Sequence, residues 1–250
     1  MAADSGLDGS SVIVTGAGSG IGRAAARQFA EAGARVVVAD VNVDAVEAVA
    51  AEIGGVAVAG DLADQAVADK VIATAVAAFG GVDVLVNNAG IMDSMSAVAD
   101  VSDDEWARVL GVNLTAPFQL TRAAVPHMLA KGKGAIVYTA SEAGLRGSAA
   151  GAAYTVSKHG IIGLTRSVAV MYRNNGIRAN AIAPGGTKTN ITVNADPEGH
   201  GPRVVGQYLP NAGRVADPDE QAAAIVFLAS DAAANITGVV LPVDNGWSAI

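Results

Sequence analysis

The stretch Val12-Ile13-Val14-Thr15-Gly16-Ala17-Gly18-Ser19-Gly20-Ile21-Gly22 decides the fold. Three apolar β-branched residues read as a short buried strand, TGAGSGIG (Thr15 to Gly22) as a tight turn, and the Ala-rich segment up to Gly33 as the helix that the turn opens. Strand, glycine turn and helix in this order form the first half of a parallel crossover. Glycines at 16, 20 and 22 let the backbone turn sharply and come close to a bound group, while the N–H groups and dipole of the helix start attract negative charge. A pyrophosphate, and with it a dinucleotide, fits that chemistry.

The same alternation continues outward. RVVVAD (35–40) reads as a second strand, 43–53 as a helix stopped by Gly54 and Gly55, and VAVAG (56–60) as a third strand closed by Asp61 and Leu62. A helix over roughly 64–79 leads to VDVLVNNAG (82–90). Ser102 and Glu105 predict a capping box for a helix ending near Val112, with Asn113 next. A helix over about 117–130, bent at Pro126, precedes the strand AIVYTA (135–140). The helix holding Tyr154 and Lys158 runs to about Asn175, where Gly176 stops it, and IRANAIAP is the sixth strand. Asp217, Pro218 and Glu220 supply an N-cap, a first-turn proline and a capping acid for the last main helix, before a final strand at 239–243. The expectation is one α/β domain over 1–250, a Rossmann-type doubly wound parallel sheet of about seven strands flanked by helices. Residues 190–216, with three prolines, four glycines and scattered apolar side chains, read as a lid.

Ligands of such sheets gather at the carboxyl ends of the strands, where Asp61, Asn87, Asn88, Ala89 and Gly90 fall. Asp40 lies eighteen positions beyond Gly22. Its carboxylate either accepts the adenosine ribose hydroxyls and selects NAD, or is a solvated strand-end acid or the cap of the next helix. Against a 2′-phosphate it would be repelled, and Ser19 offers no compensating cation.

Composition narrows the classes. With no cysteine there are no disulfides, no thiolate catalysis and no Cys-ligated metal; His127, His159 and His200 lie too far apart in sequence for a metal motif, so none is expected. A net charge of −8 without a basic block argues against nucleic-acid partners. No apolar run reaches about 18 residues, so no membrane span is read. The opening MAADSGLDGS carries acids and no apolar segment, which is not the pattern of a secretory signal, and a cytoplasmic protein is expected.

Tyr154 and Lys158 stand at i and i+4, one turn apart on a helix. A phenol beside a fixed ammonium can lose its proton more readily and act as an acid or base; the same spacing also serves an aromatic ring packed under a lysine stem. Ser141, at the end of the fifth strand, faces the start of that helix and could bond a substrate oxygen.

TGAGSGIG, Asp40, NNAG, Asn113, Ser141 and the Tyr154/Lys158 pair, in this order, resemble the short-chain dehydrogenase/reductase family of conventional length, from Ser11 to Gly246. The resemblance implies roles. Gly16, Ser19, Gly20 and Ile21 hold the pyrophosphate, Asp40 the adenosine ribose, Asp61 and Leu62 the adenine, and Asn88, Ala89 and Gly90 line the cofactor cleft. Pro184, Gly185 and either Thr187 or Thr189 surround the nicotinamide amide; Thr187 stands where the family has a branched apolar residue. Tyr154 exchanges the proton, Lys158 holds the nicotinamide ribose and lowers the Tyr154 pKa, Ser141 orients the substrate oxygen, and Asn113 holds a water of the proton path. The implied activity is NAD(H)-dependent interconversion of a secondary alcohol and a ketone, by a homotetramer paired through helices 117–130 and 155–173. Two rival readings are an NADPH-dependent carbonyl or 3-oxoacyl-thioester reductase, against which Asp40 and Ser19 speak, and a catalytically silent cofactor-binding scaffold, against which the intact tetrad speaks.

Overall fold

The computed structural model describes residues 5–250; the first four residues of the opening segment discussed above lie outside the described residues. Seven parallel strands form one sheet: β1 (Ser11–Thr15), β2 (Arg35–Asp40), β3 (Val56–Ala59), β4 (Val84–Asn87), β5 (Gly134–Thr139), β6 (Ile177–Pro184) and β7 (Val240–Val243). Their order is β3-β2-β1-β4-β5-β6-β7. The order reverses between β1 and β4, and the crevice beyond the carboxyl ends of those two strands is where such a sheet takes its ligand.

The α-helices among the described residues are α1 (Gly20–Glu31), α2 (Val43–Ile53), α3 (Gln65–Phe79), α4 (Asp103–Leu110), α5 (Ala116–Lys131), α6 (Ala152–Tyr172), α7 (His200–Val205) and α8 (Pro218–Ala229), and most of them cover the two faces of the sheet. The strands read as continuous apolar runs because both faces are covered. Alternate residues then serve two cores: Ile13, Leu85 and Ile136 pack with the α3, α5 and α6 side chains, whereas Val14, Val86 and Val137 pack with Phe29 of α1 and Ile225 of α8.

Most element ends have a local cause. Asn42 accepts from Ala45 N (3.0 Å) at the start of α2, and Gly54, in the left-handed conformation, ends it. The capping box of Asp217 and Glu220 with Pro218 opens α8, as expected. Arg178 closes it from outside: its guanidinium donates to the carbonyls of Leu228 (2.7 Å), Ala229 (3.0 Å) and Ser230 (3.1 Å) at the end of the helix.

Two expectations need correction. Glu105 does not complete a box with Ser102; only Ser102 Oγ caps, accepting from Glu105 N, and the Glu105 carboxylate instead takes Ser94 N (2.6 Å) and Ser96 Oγ (3.2 Å). No break follows Val112: Gly111–Thr115 is a π-helical turn joining α4 to α5, and Pro126 lies inside α5. The segment at 190–216 is partly ordered into α7 and a 3-10 turn, Leu209–Ala212. Its ends are drawn together by Lys188 N to Ala216 O (3.0 Å) and Ala216 N to Gly186 O (2.8 Å), so the segment leaves and re-enters the fold at one place.

Candidate active site

The glycine turn builds one wall of the site. Gly16 (φ +63°) and Gly20 (φ +51°) occupy the left-handed region, where a side chain would be strained. A Cβ on Gly16 would also fall 2.8 Å from Ala89 Cα, so the turn lies against the segment after β4. Helix α1 begins at Gly20 with no side-chain cap from Ser19 and no acid in its first turn, which leaves its positive end uncompensated toward the cleft. Asp40 closes the adjoining corner: its carboxylate accepts from Gly18 N (2.9 Å) and Asn42 N (3.0 Å), while Asn42 rather than Asp40 caps α2. Bare amides at a helix start, glycines that admit a close approach and a strand-end carboxylate fit the pyrophosphate and ribose of a dinucleotide.

Where β1, β4 and β5 end, side chains join the strands. Thr15 Oγ1 accepts from Asn88 N (3.0 Å) and Ala89 N (3.1 Å), Asn88 Nδ2 donates to Thr15 O (3.0 Å), and Thr139 Oγ1 donates to Asn88 Oδ1 (3.1 Å). Lys158 completes the series by donating to Thr139 O (2.8 Å). Gly16, Ser19, Gly20, Ile21, Asp40, Asn88, Ala89, Gly90, Ser141, Tyr154, Lys158, Pro184, Gly185, Thr187 and Thr189 all line a single cleft of about 610 Å³. Thr187 turns its hydroxyl to Gly185 O (3.2 Å), and the Thr189 methyl faces Gly20, 3.0 Å from where a Cβ would stand. Two of the residues predicted to hold the cofactor are not in that lining: Leu62 is packed in the core and Asp61 is exposed, accepting from Ala63 N (2.9 Å).

Asn113 sits behind the cleft rather than in it. The π turn aims its side chain inward, 1% exposed, where it accepts from Ile91 N (2.8 Å) and donates to Ile91 O (2.9 Å) and Ser157 Oγ (3.2 Å). Its Oδ1 and Lys158 Nζ converge: each lies 3.4 Å from the point a Gly90 Cβ would occupy.

Tyr154 is 8% exposed and its hydroxyl faces the Ser141 side chain. The phenol is raised to about 12, chiefly by burial, with Ser141 pulling it down and the Asp93 charge adding to the rise. Lys158, 3% exposed, is brought down to about 8 by burial. The expected lowering of the phenol by Lys158 is therefore corrected for the protein alone: the ammonium lies over the ring, 5.4 Å from its centre, and spends a donor on Thr139 O.

Met92 lines the cleft, whereas Met95, Glu142 and Leu145 do not. The apolar end is completed by residues that sequence pattern did not single out: Ala149, Ile191, Val193 and Trp247, with Leu209 from the 190–216 segment. Only Trp247, directly after Asp244-Asn245-Gly246, carried a legible signal, a large side chain next to a turn. Glu142 turns the other way, into the protein at 1% exposure, toward Asp244 and Arg146 Nε (2.9 Å). Burial and the neighbouring Asp244 carboxyl push Glu142 from the usual 4.5 up to about 7, against the pull of Arg146. Asp244 goes down in spite of its burial, through bonds from Ser248 and Gly246 N and through the neighbouring Glu142.

Among the described residues no group of three or more His, Asp or Glu side chains could hold a metal ion, and no helix is long and apolar enough to cross a membrane.

With this geometry stand the comparisons. A family profile described as enoyl-(acyl carrier protein) reductase matches residues 16–248. The 3beta-hydroxysteroid dehydrogenase 2 of Eggerthella lenta is 40% identical over 250 residues, covering 97% of this chain and 96% of the relative. Among solved structures, the 3-ketoacyl-(acyl-carrier-protein) reductase of Brucella melitensis in complex with NADH superposes with a TM-score of 0.87 at 34% identity, covering 97% of this chain and 99% of that one. A proposed NAD(P)-dependent gluconate 5-dehydrogenase of Beutenbergia cavernae, with NADP at low occupancy, gives 0.85 at 42% identity, covering 98% of both chains. The chain belongs to the short-chain dehydrogenase/reductase family, a family of oxidoreductases.

The Glu142–Asp244 pair makes stability depend on pH. A carboxyl whose folded pKa is raised binds more protons folded than unfolded, so its contribution is present at low pH and is lost as pH rises through about 7. The melting temperature is expected to fall between about pH 5 and about pH 8, and Glu142→Gln, which keeps a permanent donor toward Asp244, to flatten that slope and raise the melting temperature at the alkaline end. An identical slope in the variant would remove the pair from the account.

Proposed function

We propose that the protein is an NAD(H)-dependent oxidoreductase that interconverts a secondary alcohol and a ketone, with Tyr154 as the general acid and base. The observation carrying this reading is the Ser141–Tyr154 hydroxyl pair beside the buried Lys158, in the same cleft that starts at the glycine turn. When bound, the nicotinamide would accept or donate the hydride. The remaining work falls to the chain. Gly16, Ser19, Gly20 and Ile21 with the start of α1 would hold the pyrophosphate, Asp40 the adenosine ribose and Lys158 the nicotinamide ribose. Pro184 and Gly185 would wall the amide; with the Thr187 hydroxyl turned to Gly185 O, Thr189 lies on the phosphate side of that loop.

Ser141 Oγ would orient the substrate oxygen, and Tyr154 would take the alcohol proton or give it to the forming alkoxide. At neutral pH the phenol, held up to about 12, is ready as a donor; loss of its proton needs further positive charge nearby. Asn113 Oδ1 and Lys158 Nζ, facing one point, would hold the water through which the proton reaches solvent.

The name of the Eggerthella lenta relative, a hydroxysteroid dehydrogenase, and the apolar far end of the cleft support a cyclic, largely uncharged substrate. Residues 190–216, through Ile191, Val193 and Leu209, would act as the lid over it. We further propose association into a homotetramer through α5 and α6, supported by the exposed Phe118 and Leu129 on the first and Val156, Val170 and Met171 on the second.

In Tyr154→Phe, kcat is expected to fall about 10²- to 10⁴-fold with NAD⁺ binding nearly unchanged; turnover close to the wild type would remove the proton-transfer role. A carboxylate next to a 2′-phosphate is repelled by about 1 to 4 kcal/mol, so Asp40→Ala is expected to narrow the kcat/KM preference for NAD⁺ over NADP⁺ about tenfold or more. The same ratio in both proteins would place the selector elsewhere. Light scattering is expected to give four times the chain mass; a monomer at working concentration refutes the assembly.

A further inference from the structure

Asp93 is unexplained by the roles given so far. It follows β4 by six residues, is 2% exposed and lines the cleft. Its Oδ1 accepts from Gly151 N (3.2 Å) and Met95 N (3.0 Å), and its Oδ2 from Tyr154 N (2.9 Å). Gly151 is the N-cap of α6 and Tyr154 its third residue, so both amides are among those a helix leaves unpaired at its start. The chain supplies neither usual remedy locally: Gly151 has no side chain to cap with, and the first turn holds no acid. A carboxylate from 58 positions away takes that place.

The fit is two-sided. A Cβ at position 151 would stand 2.6 Å from Asp93 Oδ2, so the glycine makes room for the acid that replaces its cap. The segment carrying Asp93 is itself held: Glu105 of α4 grips Ser94 N and Ser96 Oγ, Ala152 N donates to Ser96 O (3.0 Å), and Met95 adopts a left-handed φ of +55°. A non-glycine residue in that region costs about 1 kcal/mol or more and persists where its surroundings impose it.

We propose that Asp93 is a positioning residue for the acid–base step: capping α6 from the loop after β4, it fixes where the Tyr154 hydroxyl stands and sets a negative charge beside it. Two charged groups face the phenol, Lys158 from one turn further along α6 and Asp93 from the loop. The segment after β5 contributes the Ser141 hydroxyl, while α4 and the turn after Ser141 contribute the apolar Val109 and Ala143. The negative charge disfavours the phenolate, so Asp93 holds the tyrosine toward its proton-donating form.

This rests on Tyr154 as the acid–base group, and two kinds of variant separate placement from charge. Asp93→Asn keeps the shape and removes the charge; the acid limb of the pH profile for alcohol oxidation is expected to move down by about 0.5 unit or more. Asp93→Glu keeps the charge and displaces the cap; kcat is expected to drop about tenfold with KM nearly unchanged and the limb in place. Asp93→Ser, uncharged with one acceptor, replaces the amide variant should that not fold. A melting temperature that falls while kcat and the limb stay at wild-type values assigns Asp93 to helix capping alone and overturns the proposal. Ultraviolet titration of the phenol, taken as the difference between each protein and its Tyr154→Phe counterpart, makes the same comparison without turnover: earlier ionisation in the neutral variants supports the charge role, and equal ionisation overturns it. Absence of turnover in the wild-type protein would count against the proposed reaction and leaves this titration to decide on Asp93.

Discussion

Parallel strands stop with carbonyl and amide groups that have no neighbour to pair with, and burying them unpaired is costly. Here that constraint is met by side chains at the ends of three adjacent strands. Thr15 serves β1 and the Asn88–Ala89 amides, Asn88 returns bonds to Thr15, Thr139 reaches Asn88, and Lys158 takes the Thr139 carbonyl. The lysine thus belongs to the sheet as well as to α6. An ammonium brought almost out of water is held by a group the sheet had to satisfy anyway, and its position relative to Tyr154 follows from their one-turn spacing on α6.

The buried charges around the tyrosine oppose one another. Burial alone disfavours both the phenolate and the ammonium, raising one pKa and lowering the other. Ser141 works toward ionisation of the phenol and Asp93 against it. A positive charge placed in the cleft would therefore act on a phenol whose surroundings do not ionise it unaided.

Much of this was legible in the sequence because the causes are local. The bounds of α2 follow from Asn42 and Gly54, both within a turn of the helix ends. The glycine turn, the acid closing β2 and the polar run after β4 are each short and contiguous, and the order of alternating elements leaves a parallel sheet as the arrangement in which they meet. What stayed hidden depends on distant partners. Glu105 reads as half of a capping box until Ser94 and Ser96, on an earlier loop, compete for its carboxylate. Asp93 has no recognisable spacing to Gly151 or Tyr154, because the contact joins the segment after β4 to the start of α6, which belongs to the next crossover. The Leu62 side chain alternates into the core, a matter of which face the chain presents after β3.

The π turn at Gly111–Thr115 gives α4 and α5 an unusual relation. They form one continuous rod that carries a residue more than its regular winding can hold, and Asn113 stands in the excess. Removing one residue there would let the hydrogen-bond ladder close into an ordinary α-helix, but each residue turns the helix by about 100°. Everything on one side of the cut would rotate against the other, so that Asn113 could no longer face Ile91 while Ala116 and Leu120 keep their places in the core. The irregularity is in that sense a phase adjustment: it allows a single rod to present a packing face along its length and a polar amide at one point, two demands that a regular winding cannot meet together.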